Sequence, residues 1–121
     1  MVESILKEKS FAFSVRIINL YKFLSEKRKE YVLSKQLLRS GTSVGAMTRE
    51  SRNAESKMDF VHKLGIAQKE CDETIYWLEL LKETNYISAP EFDSLNKNAD
   101  ELLKILKSSI LTAKRNAGSK Y

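Results

Sequence analysis

Apolar residues recur along this chain at spacings of three and four, in four stretches. That is the period of an α-helix with one face covered. In the first stretch Phe13, Ile17, Leu20 and Leu24 form one stripe, and Phe11, Val15 and Ile18 widen it. So wide a stripe predicts a helix over about 5–28, covered by neighbours on more than one side. Lys27, Arg28 and Lys29 follow, where a helix C-terminus favours positive charge.

The second stretch, over about 32–54, repeats Leu33, Leu37, Ser40, Val44, Met47, Ser51 and Ala54 in the same phase. Its middle, Ser40-Gly41-Thr42-Ser43-Val44-Gly45-Ala46, has the composition of a loop. Two glycines inside a helix cost roughly 2 kcal/mol against alanine. The phase nevertheless crosses the segment unbroken, so a continuous helix is expected. Gly41 and Gly45, four apart, then share one face, and a face without side chains lets another backbone come close.

Ser56, with Asp59 three residues on, is close to a capping box opening a third helix over about 57–84. Phe60, Leu64, Ala67, Cys71, Thr74, Leu78 and Leu81 form the most regular stripe in the chain; Ile66, Trp77 and Leu80 lie off it. Asn85 to Pro90 is a break, with Ser88 or Ala89 preceding a fourth helix over about 90–115. There Phe92, Leu95, Ala99, Leu102, Leu106, Ser109 and Ala113 keep the phase, and the polar tail from Asn116 to Tyr121 should fray. Long helices with short connections predict one all-α domain over 1–121, an antiparallel up-down-up-down four-helix bundle.

Composition narrows the function. The chain has 121 residues, 4 Gly and 1 Pro, which suits few turns and one core. One cysteine and one histidine exclude an internal disulfide and a Cys/His zinc site within the chain. No apolar run precedes a small-residue cleavage site or reaches membrane-spanning length. A cytoplasmic protein without a membrane partner is expected. The net charge of +5 is compatible with an anionic partner such as nucleic acid.

Catalytic chemistry finds little support. His62 reads as a solvated surface residue and Cys71 as a small buried hydrophobe. Glu70, Glu73 and Glu79 lack the Glu-x-x-His pairs of di-metal bundles. No catalytic residue, metal, cofactor or small-molecule substrate is expected. Tyr76 and Trp77 read as packing residues rather than a base-stacking platform. Basic residues fall into three groups: Lys22 with Lys27, Arg28 and Lys29; Arg39, Arg49 and Arg52; and Lys104, Lys107, Lys114 and Arg115. They would matter together only if oligomerisation aligned them.

The run Gln36 to Ala46 with Glu50, followed by Ser56-Lys57-Met58-Asp59-Phe60, Leu64, Ile66-Ala67, Lys69-Glu70, Glu73-Thr74, Tyr76-Trp77-Leu78 and Leu80-Leu81, resembles the four-helix-bundle family of 23S ribosomal RNA intervening-sequence proteins. The resemblance covers the middle two helices and departs from the family pattern at Met47, Arg49 and Ser51. It implies a ring-like homopentamer. Some members are encoded within sequences that interrupt bacterial 23S ribosomal RNA genes. The family is also similar to the accessory protein of diversity-generating retroelements, a basic pentameric barrel that binds nucleic acid and works with a reverse transcriptase. With the basic balance, the resemblance points to RNA or DNA as a partner, with Arg39, Arg49, Arg52 and Lys63 as phosphate-binding candidates. The alternative is a protein-assembly module, in which Gly41, Gly45, Trp77 and Leu80 would serve subunit contacts.

Overall fold

A computed structural model describes residues 2–116, apart from the side chain of Glu3; 117–121, most of the tail expected to fray, lie outside the described residues. Among the described residues the fold is all-α, with helices α1 (Val2–Glu26), α2 (Leu33–Ser51), α3 (Lys57–Glu83) and α4 (Ala89–Asn116) and no strand. The helices pack α1 on α2, α2 on α3, α3 on α4 and α4 back on α1. The diagonal pairs make no close backbone approach. Each of the four stripes points inward. Phe13, Ile17 and Leu24 meet Leu37 and Val44, Leu64, Leu78 and Leu81, and Leu102 and Leu106 in one buried cluster.

The glycine-rich segment is helix throughout: α2 runs unbroken across Gly41 and Gly45. The reason is its contact with α1. A Cβ added at Gly41 would stand 2.7 Å from Ile17 Cγ2, and one at Gly45 would stand 3.0 Å from Ser14 Oγ. The backbone approach that the glycines permit is therefore made inside the chain. That contact accounts for both glycines within the chain.

The helix ends are set by side chains as well as by propensity. α1 stops at Glu26, and Lys29 takes a left-handed φ of 56°. The next residue, Glu30, is buried, and its carboxylate accepts from the N–H groups of Val32, Leu33 and Ser34 at 3.3, 3.1 and 2.7 Å. It satisfies the free donors that open α2, where no helix-capping serine or threonine stands. Ser56 caps α3 by accepting from the Asp59 N–H at 3.0 Å, while Asp59 accepts from the N–H of Glu55. α3 closes on Asn85 at φ 66°, with the Tyr86 N–H bonded to the Leu81 carbonyl, a Schellman ending. Ser88 and Glu91 then bond reciprocally and open α4.

One expectation needs correction. Phe11, Val15 and Ile18 are not covered: they are 60%, 43% and 37% exposed. With α1 touching only α2 and α4, its outer side has no neighbour within the chain.

Candidate nucleic-acid interface

The basic residues behave differently according to where the helices bring them. Arg39 lies on the α3 side of α2. Its guanidinium donates to Glu70 at 3.1 Å and also to Glu73. Just below, the hydroxyls of Ser40 and Thr74 lie 2.9 Å apart in the interior. Near the other end of the same helix pair, Lys63 reaches Glu50 at 3.0 Å. That hydrogen bond, with the Glu50 charge, raises the Lys63 pKa. Two of the four phosphate-binding candidates are thus already paired with carboxylates. Glu70 and Glu73, read from the sequence as conceivable metal carboxylates, are the partners of Arg39.

Other cations are also engaged. Arg28 donates to the carbonyls of Asn85 and Tyr86 and lies 4.9 Å from the Tyr86 ring centroid, tying the end of α1 to the α3–α4 turn. Arg16 bonds Asn98 at 2.6 Å, and Lys9 reaches Glu101 at 2.6 Å. The Lys9 hydrogen bond and charge lower the Glu101 pKa.

Arg49 and Arg52 are exposed and have no carboxylate within salt-bridge distance among the described residues. They stand three apart at the C-terminal end of α2, so they share a side. Arg52 borders an open cleft of about 600 Å³ at this end of the bundle. Lys57, at the start of α3, lines the same cleft. The floor is apolar, with Leu6, Phe60 and Leu64; the walls carry hydroxyls from Thr48, Ser51, Ser56, Ser108, Ser109 and Thr112. Asn116 completes the rim, so Lys114 and Arg115 belong to the helical turn beside it. In the sequence Arg49 and Arg52 fall in one group, Lys114 and Arg115 in another, and Lys57 in neither. The fold gathers the end of α2, the start of α3 and the end of α4 at one pole of the bundle.

The remaining candidates take packing positions. Trp77 is half-buried against the core and meets Tyr76 edge-on, with ring centroids 5.2 Å apart at 63°. Its Nε1 is buried without a hydrogen-bond partner among the described residues. Leu80 is half-buried one turn later. His62 is exposed. Cys71 is fully buried and donates to the Ala99 carbonyl at 3.4 Å. Burial, with Asp72 and Asp100 nearby, pushes its pKa up to about 12, so its thiol stays protonated and is a poor nucleophile. Among the described residues no three His, Cys, Asp or Glu side chains converge as metal ligands. No helix there is long and apolar enough to cross a membrane.

Residues 3–108 match the family described as 23S rRNA-intervening sequence protein. No curated protein matches the chain. Among solved structures it is similar to a protein of unknown function from the S23 ribosomal protein family of Bacteroides thetaiotaomicron VPI-5482. The two are 53% identical with a TM-score of 0.90, over 91% of this chain and 98% of that one.

Proposed function

The chain belongs to the 23S rRNA-intervening sequence protein family, and on that premise we propose that it is a non-enzymatic, oligomeric bundle that binds RNA or another nucleic acid through backbone phosphates. In this reading the helices run up-down-up-down and the subunits form a ring-like homopentamer in the cytoplasm. The observation that carries the binding is the basic pole. Arg49 and Arg52 lack carboxylate partners among the described residues, and Lys57, Lys114 and Arg115 belong to the same end. Phosphates exchange their counterions for such side chains, and hydroxyl groups on the cleft walls can donate to phosphate oxygens. Arg39 and Lys63 contribute less, because a phosphate would have to compete with carboxylates they already hold.

The test is the salt dependence of binding to a structured RNA. Affinity should fall steeply with salt, and each of Arg49→Ala and Arg52→Ala should lower the slope by about 1. Arg39→Ala should lower the slope by less than either. No binding to structured RNA or DNA at low salt sinks the proposal. The assembly-module reading is favoured by a separate observation, the exposed apolar stripe of α1. An oligomer that purifies free of nucleic acid and binds none would support it.

A further inference from the structure

Two outer faces of the bundle differ in character: the one on α1 is apolar with lysines at its ends, and the one on α3 is acidic around an exposed tyrosine. On α1 a row at spacings of four, four, three and four reads Lys7, Phe11, Val15, Ile18, Lys22. Its three apolar members are the exposed ones, and the exposed residues Ala12 and Asn19 beside it carry no charge. Glu8 and Glu26 stand at its margin. On α3 a row at spacings of four, three and four reads Asp72, Tyr76, Glu79, Glu83. Tyr76 is 53% exposed, and half-buried Trp77 and Leu80 border it toward the Glu70–Glu73 side. Lys69 precedes this row, and Lys82 comes within 4.0 Å of Glu83.

The two faces cannot meet within one chain, because α1 and α3 are diagonal in the bundle. An apolar row ending in lysines and an acidic row that holds Tyr76, with Trp77 and Leu80 beside it, are complementary in both respects that favour association: each has apolar area to bury, and each carries the charge that the other lacks. Neither face suits itself, since self-pairing would set lysine against lysine or carboxylate against carboxylate. We propose that the outer face of α1 in one copy of this chain docks on the outer face of α3 in the next. This rests on the oligomeric reading above and names its contact surfaces. Such a contact is heterologous: it uses two different patches and leaves one of each free at every step. Both patches border α2. On α1, Phe11 and Ile18 flank Ser14, which packs at Gly45; on α3, Trp77 and Leu80 continue the row of Glu70 and Glu73 that meets Arg39. The rotation set by each contact decides whether successive copies close into a ring or continue as a filament.

Light scattering on the full chain at micromolar concentration tests this with Phe11→Glu and Tyr76→Lys. Both positions are exposed, so the variants should keep wild-type helicity by circular dichroism. The wild type should be oligomeric and each variant monomeric. An equimolar mixture should form one-to-one dimers, because each variant retains the face that the other lost. If the wild type is oligomeric and both variants keep its mass, the contact lies elsewhere; the oligomeric reading survives and this proposal does not. A mixture that stays monomeric also overturns it, since self-pairing faces would not complement. A monomeric wild type removes both.

Discussion

The two sides of α2 are held by opposite means. Toward α1 it offers an absence: Gly41 and Gly45 leave room for Ile17 and Ser14 to lie against the backbone. Toward α3 it offers polar groups, with Arg39 between two carboxylates, Ser40 against Thr74, and Glu50 on Lys63. The first contact is dispersion and shape, which neither salt nor pH alters. The second is electrostatic and responds to both. One helix thus carries a steric seam on one side and a titratable seam on the other, and substitutions can separate them.

The largest effect is expected on the steric side. Gly41→Ala sets a methyl group 2.7 Å from a side chain that is itself fully buried. Overpacking of this kind costs about 1–3 kcal/mol, partly offset by about 1 kcal/mol of helix propensity. A net loss of up to about 2 kcal/mol in urea denaturation is expected, with no dependence on salt. An unchanged midpoint would mean that α1 and α2 can move apart at little cost.

Next comes the polar side. Arg39→Met leaves Glu70, whose side chain is only 11% exposed, without its counter-charge. A fully buried broken pair costs about 3–5 kcal/mol, but Arg39 is half in water, so a loss of about 1–2 kcal/mol is expected. The double variant Arg39→Met/Glu70→Gln should recover part of it, and strict additivity would show that the two groups do not interact.

A glycine on neither side sharpens the contrast. Gly65, in α3, has nothing within 4 Å of an added Cβ. Gly65→Ala should therefore stabilise by up to about 1 kcal/mol, the propensity term alone. A destabilised Gly65→Ala would show that the contact with Ile17 is not what separates Gly41 from the other helical glycines.

The smallest effect is a pH signature. The Lys63 pKa is raised in the folded state. Its contribution is complete below the ordinary lysine value of 10.5 and is lost as the pH rises through the higher folded value. Lys63→Gln should differ from wild type near neutrality and converge with it under strong alkali. A constant difference across that range would assign the effect to packing.

The same contrast explains what was legible in the sequence. The steric seam could be read because it obeys a period on one helix: Gly41 and Gly45 keep the phase of Leu37 and Val44, and all four follow from counting along the chain. The core stripes were legible for the same reason. The polar seam was not. Arg39 is separated from Glu70 by 31 residues and from Glu73 by 34, and their meeting depends on the rotation and register of two helices. Counting cations therefore gave Arg39 and Lys63 the same standing as Arg49 and Arg52. Glu30 was missed because a glutamate before a helix carries no capping signature until its side chain folds back. The basic pole was missed because three separate segments build it. The exposure of Phe11, Val15 and Ile18 could not be read either, since periodicity tells an apolar face from a polar one but does not say what covers it.

The burial of Cys71 has a practical consequence. It is the chain's one cysteine, and its thiol stays protonated and out of solvent while the bundle is closed. A thiol reagent can reach it only when α3 and α4 part, so the modification rate of the unaltered protein is a clock for bundle opening. A cysteine introduced at exposed Tyr76 or Arg52 would react long before it, and so each proposed surface can carry a single probe without removing the native thiol.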